Sequence, residues 1–224
     1  MLKRNVSTEW PETKRKLVDA GIASMRVRGF NATTVDDICE AAGVTKGGFF
    51  HYFKSKQDLA LAAVMCFDDV RARELAVAPF RRLADPLERV FGRLDFAKES
   101  WDGNKGSTKG CLVGMFAQEL SFTNPELRRA CEERFAWVAK DFETDLAEAK
   151  ALYAPDRVGF DPKRLAMLYV SIVQGSLMLA KAAASNRVLV ENIEQFRAYL
   201  QILFGQGRRS TGKRPGKVSV ESGN

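Results

Sequence analysis

The residues of this chain best suited to chemistry with an anion are crowded into one short stretch. Thr45 is followed by Lys46, Gly47 and Gly48, with His51, Tyr52, Lys54 and Lys56 one to three turns further along. A Thr at a helix start followed by two residues without side chains lets the helix N-terminus approach another backbone closely. Helix N-termini attract anions, and Lys46 adds a charge. The chemistry on offer is hydrogen bonding and charge pairing to the oxygens of a phosphate chain.

Short elements must position these groups. Thr34 and Asp37 have the T-x-x-D spacing of a capping box, which starts a helix whose inward face carries Val35, Ile38 and Ala42. Gly43 supplies the left-handed backbone that ends it, Val44 returns to the core, and Thr45 starts the next helix. Phe49 and Phe53 read as core. Ser55 and Asp58 repeat the capping spacing and open a longer helix. Two short helices joined by a Gly turn, with basic residues on the second, form a helix-turn-helix suited to double-stranded DNA.

The stretch from about Val18 to Leu59 resembles the TetR family of bacterial transcriptional regulators, whose motif is similar to T-x-x-x-I-x-x-x-A-G-V-x-K-G-x-x-Y-x-Y-F-x-x-K. The resemblance implies that Thr45, Lys46, Gly47 and Gly48 lie on the groove-entering helix, and that Thr34, His51, Tyr52 and Lys56 bind phosphates. Two positions depart from the pattern. Gly48 stands where the family usually has Ser or Thr, and Phe50 where it usually has Tyr, so each place lacks a hydroxyl. Base readout from this helix is therefore expected to be sparse, leaving more to backbone contacts and DNA shape.

Beyond Ser55 the chain reads as helices punctuated by Pro and Gly, with no alternating strand pattern, so the fold class is all-α. The expected organisation is a helix-turn-helix domain of three helices at 1–55, an effector-binding and dimerisation domain of about six helices at 56–206, and a disordered basic tail at 207–224. Helix one is expected from Thr8 to Arg28, with Leu17, Ala20, Ser24 and Met25 inward. Helix four runs from Lys56 toward Ala78 and buries Leu59, Ala63, Cys66, Phe67 and Val70. Later helices are expected at 86–101, 110–122, 125–152, 161–185 and 189–205, with a mobile Gly, Ser and Lys loop before the sixth.

Charge is unevenly placed. Residues 1–60 hold ten basic and seven acidic side chains, residues 207–224 five and one, and residues 61–206 twenty of each. Any polyanion affinity must therefore come from the ends. The most apolar run, Tyr169 to Ala184, is interrupted by Gln174 and Lys181, so no membrane span is expected and the chain is placed in the cytoplasm. Four cysteines form no C-x-x-C pair and there is one His, so neither a metal site, a disulfide framework nor a cofactor is implied. The absence of a nucleophile motif argues against an enzyme.

Gly110 and Gly114 flank Cys111, Leu112 and Val113, poor helix chemistry unless close packing or a ligand needs the space. Within the family this segment resembles the Gly-Cys-Leu stretch of a branch that includes regulators responsive to reactive electrophiles, and Lys181 matches a Lys of the same branch. A Lys near a thiol would raise its thiolate fraction. Candidate effector residues are Cys111, Lys181, Met115, Phe116, Trp137 and Gln174, the last being polar within an apolar run. Leu165, Leu168, Ile172, Leu179, Ile193, Phe196, Leu200 and Leu203 are expected to form a two-fold dimer interface, which would place two reading heads on a near-palindromic operator. The expected function is a repressor released by a small-molecule effector or by thiol modification. The alternatives are a helical enzyme acting on a small apolar molecule, or an interaction or peripheral membrane module using the basic ends.

Overall fold

The computed structural model describes residues 10–102, 110–154 and 160–205, the side chains at 68, 69, 71, 101 and 102 excepted. The loop expected at 103–109 and the basic tail lie outside the described residues. Among the described residues there are nine α-helices and no strand: α1 (Glu12–Arg28), α2 (Val35–Ala42), α3 (Lys46–Tyr52), α4 (Lys56–Ala76), α5 (Pro86–Asp102), α6 (Leu112–Leu120), α7 (Pro125–Tyr153), α8 (Pro162–Ala182) and α9 (Arg187–Leu203).

The helix ends obey local chemistry. Pro11 precedes α1, and Gly29 closes it at φ +87° with its N–H on the Met25 carbonyl. Thr34 and Asp37 form the reciprocal capping box of α2, whose end is Gly43 in the left-handed region at φ +64°. Thr45 Oγ1 accepts from Gly48 N–H at 3.1 Å to cap α3, and Ser55 Oγ accepts from Asp58 N–H at 3.1 Å to cap α4. Asn124 and Asp161 then cap α7 and α8, each ahead of a Pro at the first helical position.

Two apolar clusters organise the molecule. One gathers Leu17, Ile38, Phe49 and Leu59 of α1–α4 around Leu112, Phe116 and Leu127 of α6 and α7. The other packs α5, α7, α8 and α9 through Val90, Phe142, Tyr169 and Phe196. Cys111 and Phe135 touch both. α6 therefore belongs to the core of the amino-terminal helices although all of α5 separates it from them in sequence.

Several expected faces shift by a position or two. In α1, Val18 and Gly21 are buried with Leu17 and Met25, while Ala20 and Ser24 are only half-buried. Val70 of α4 is exposed, because the buried stripe of that helix ends near Cys66. α8 is long and apolar enough to cross a membrane by composition alone, contrary to the expectation that Gln174 and Lys181 would prevent it. In the fold it packs between α7 and α9, burying Leu165, Ala166, Tyr169, Val170 and Leu177.

The body also buries charge. Arg81, Arg89 and Arg93 meet Asp141, Asp145 and Glu148 of α7, with Arg93 and Asp145 almost fully enclosed. The Arg93 guanidinium lies 5.0 Å from the Phe80 ring centroid and 5.1 Å from that of Phe142. The two arginines beside Asp141 hold its carboxyl below the ordinary carboxylate range in spite of burial, which acts the other way.

Candidate nucleic-acid interface and ligand cavities

α3 presents one wet face and one dry one. Phe49 is fully buried and Phe53, just past the helix, nearly so, whereas Thr45, Lys46, Gly47, Phe50 and His51 are exposed. Phe50 is 52% exposed, an apolar ring kept in water on the face expected to meet DNA. Tyr52 is half-buried against the core with its ring edge-on to His51, so only part of it is offered outward. Space explains the two glycines differently. A Cβ on Gly47 would meet nothing closer than Thr45 Oγ1 at 3.9 Å, whereas one on Gly48 would stand 2.7 Å from Val44 Cγ1. Gly48 thus serves packing between the two short helices as much as approach to a ligand.

Lys46 is paired at 2.8 Å with Asp36 of α2, both side chains exposed, and the hydrogen bond to Asp36 holds its ammonium above the ordinary value. An exposed pair of this kind is weak, so a phosphate can displace the carboxylate cheaply. Lys56 is the exception among the expected phosphate binders. Its Nζ donates to the Phe30 and Thr33 carbonyls, both at 2.7 Å, and lies 4.1 Å from the Phe30 ring centroid. Half-buried, and lowered in pKa by that burial, it braces the α1–α2 loop instead of facing a phosphate.

Two cavities lie behind the head. The inner one, about 110 Å³, is enclosed by α4, α5, α7 and α8, with Phe67, Phe96, Phe135 and Tyr169 supplying apolar walls and Arg93 and Arg134 the polar ones. The outer one, about 250 Å³, is bounded by Arg28 and Gly29 of the head, by α6 and by Lys181 of α8. Cys111, Gln174 and Leu177 line both, so they form the partition. The Gln174 amide has no hydrogen-bond partner among the described residues. A Cβ on Gly114 would fall on Gln174 Oε1, which accounts for a glycine inside α6. The Lys181 stem runs beside Gly110, its Cδ 3.9 Å from where a Cβ would stand there.

The sequence therefore located Cys111, Met115, Gln174 and Lys181 on cavity walls and misplaced two others. Phe116 is fully buried, edge-on to Phe30 at 5.9 Å, and Trp137 stacks with Arg134 at 4.5 Å away from both cavities. The α7 wall is formed by Phe135 and Val138, three apart, a helical register that the aromatic character of Trp137 obscured. Arg93 and Arg134 were not foreseen. The only hint was an Arg flanked at helical spacing by Val90, Leu94 and Ala97.

Of the residues expected at a dimer interface, Leu165, Ile193, Phe196 and Leu200 are buried in the protein's own core. They pack α8 on α9 and are not available to a partner, save the edge of Phe196 at the floor of a groove. Leu168 and Leu179 are exposed, and Ile172 and Leu203 half-buried. The groove, about 560 Å³, runs between α8 and α9 and is lined by Leu168, Ile172, Gly175, Leu179 and Tyr199.

Residues 17–63, which hold the capped helix pair, match the family described as bacterial regulatory proteins of the tetR type. Residues 86–195 match the C-terminal domain of LmrA/YxaF-like transcriptional regulators. The chain belongs to the TetR family. It is a DNA-binding transcriptional regulator of that family, with an amino-terminal helix-turn-helix and a helical carboxy-terminal domain. Over 123 residues it is 34% identical to the transcriptional regulator AcuR of Cereibacter sphaeroides, an alignment that spans 52% of each chain. It is 26% identical over 198 residues to the transcriptional repressor DhaR of a Mycobacterium species, spanning 85% of this chain and 90% of that one. Among solved TetR structures, a regulatory protein of Rhodobacter sphaeroides superposes with a TM-score of 0.71 at 27% identity, over 88% of this chain and 98% of the other.

Proposed function

We propose that this TetR-family protein is a cytoplasmic repressor that acts as a homodimer and leaves a near-palindromic operator when a small molecule occupies the cavities behind its reading heads. The observation that carries the reading is the shared partition: Cys111, Gln174 and Leu177 face both cavities, and α6, which bears Cys111, packs in the same core as α1–α4. A ligand that fits better when α6 is displaced shifts the head by its differential affinity alone. The DhaR likeness supports repression, since that protein is named a repressor. No catalytic constellation speaks for turnover.

The division of labour proposed is reading by the helices up to residue 55, and effector binding and dimerisation from 56 to 206. Thr45, Lys46, Gly47 and Phe50 face the groove, with Thr34, His51 and the outer edge of Tyr52 toward phosphates. The dimer forms across the α8–α9 groove through Leu168, Ile172, Leu179 and Tyr199, an apolar strip that two terminal helices would otherwise leave in water. Cys111 is the candidate for thiol modification. It is half-buried at the partition, and the outer cavity also holds Lys181.

Footprinting on DNA beside its own gene, against excess random duplex, tests the reading directly. The expected result is protection of two half-sites about one helical turn apart. Uniform, salt-labile coating of all DNA would contradict it. Cys111→Ser exposed to an electrophile should remain on that DNA while the wild-type protein is released; equal release would leave the small-molecule route and remove the thiol route.

A further inference from the structure

The α1–α2 loop, inside the reading head, is held from the far side of the chain. Glu119, in the last turn of α6, accepts from Phe30 N–H through Oε1 at 3.1 Å and from Asn31 N–H through Oε2 at 3.0 Å. These amides lie beyond the last turn of α1, and their acceptor is this carboxylate. A carboxylate bound to two of them makes charge-assisted hydrogen bonds, roughly twice as strong as neutral ones. The backbone turn here requires a glycine, and the carboxylate lies close over it. Gly29 has φ +87°, and a Cβ on it would stand 2.8 Å from Glu119 Oε1.

The same loop is gripped from α4, where Lys56 takes the Phe30 and Thr33 carbonyls. The next residue, Thr34, caps α2. At the other end of α6, Arg26 Nη2 donates to the Gly110 carbonyl at 3.0 Å. α6 is thus fastened to the head at both ends, and between those points it walls the outer cavity with Cys111, Gly114 and Met115. Gly29 and Glu119 are themselves part of that wall.

We infer that Glu119 is the positioning residue that sets the angle of the reading head, and that an occupant of the outer cavity acts on DNA binding by drawing this carboxylate off the Phe30 and Asn31 amides. The inference rests on the repressor reading above and deepens it. Among the described residues the hydrogen bonds from α4 to this loop come from Lys56, and α6 supplies a second connection that a shift of α4 alone does not. Glu119 touches no expected DNA contact, so its loss should change how the two heads are spaced and leave what each head recognises intact.

The test is the discrimination between operators of different half-site spacing, by fluorescence anisotropy with the full chain. Duplexes carry the footprinted site, the same site with one base pair inserted at its centre, or a single half-site. For the wild-type protein the insertion is expected to weaken binding at least tenfold. For Glu119→Gln, which keeps one acceptor oxygen but turns an N–H2 toward the other amide, the difference should shrink below about threefold, beneath the roughly fivefold floor of usual coupling between sites. Half-site affinity and the melting curve should be retained. Glu119→Asp, shorter by one methylene but still charged, should fall between. Wild-type spacing discrimination in Glu119→Gln would overturn the inference, as would parallel losses on full and half sites. Wild-type protein that protects no duplex would overturn the operator reading itself and the clamp with it.

Discussion

The reading head and the helical body solve opposite problems. The head, α1 to α3, caps its two short helices with neighbours three residues away, and it keeps Lys46 in water. The body, α5 to α9, encloses Arg93 and Asp145 and leaves space around Gln174. The helix ends of the head are thus set largely by local chemistry, and Lys46 stays exposed to a partner. The body is held by distant pairs, and its unfilled volume gives a ligand something to change.

The largest test of that contrast is Asp145→Ala. It strands the enclosed Arg93 and Arg89 without their shared carboxylate, and breaking a buried pair costs about 3–5 kcal/mol. Urea unfolding should show the loss; a change below about 1 kcal/mol would mean that Asp141 and Glu148 suffice, and that the body does not depend on this distant pair.

Gly92→Ala comes next. A Cβ there would stand 2.7 Å from Phe80 Cβ, so overpacking of about 1–3 kcal/mol should outweigh the roughly 1 kcal/mol that Ala gains over Gly in a helix. A raised melting temperature would show that the α5 contact yields easily.

In the head, Thr34→Ala removes the α2 cap and should cost about 1 kcal/mol, read by the same unfolding. It should also alter the acid limb. The Thr34 backbone N–H and hydroxyl hold the Asp37 carboxyl below its ordinary value. A depressed carboxylate contributes stability that is complete above the unfolded value near pH 4 and is lost as pH falls through the lower folded value. The variant keeps the backbone N–H and the Arg28 pair and loses only the hydroxyl, so its acid-side loss should be smaller; an unchanged acid limb would remove the Thr34 hydroxyl from the account.

The smallest stability change separates folding from reading. Gly47→Ala enters open space and should stabilise α3 by up to about 1 kcal/mol, yet its methyl stands where a phosphate chain must approach. Melting temperature should rise slightly while operator affinity falls. If both rise, α3 does not come close to the backbone through this residue.

The head was legible in the sequence because its determinants are neighbours. Thr34 with Asp37, the left-handed Gly43, and Thr45 and Ser55 as caps are all found where spacing placed them. Lys56 was misread because a lysine at a helix start looks like a phosphate ligand until the Phe30 and Thr33 carbonyls, more than twenty residues away, are seen to claim it. The body resisted reading for the same reason. Glu119 meets Phe30 across 89 residues and Arg93 meets Asp145 across 52, separations that no local pattern reports. Apolar character marked α8 and α9 as candidates for a partner, but only the packing tells Leu168 and Leu179, which face outward, from Leu165 and Phe196, which hold the two helices together.

The most direct measurement is the affinity of the full chain for its operator across a range of salt, with Lys46→Ala beside the wild-type protein. Lys46 is exposed and tied only to Asp36, so the variant should melt as the wild type does. If α3 lies against the phosphate chain in both subunits, affinity should fall at least tenfold near physiological salt, and the log–log salt slope should become shallower by about 2, one phosphate contact per head. Equal affinity and an unchanged slope would contradict the central claim that this helix is where the protein meets DNA.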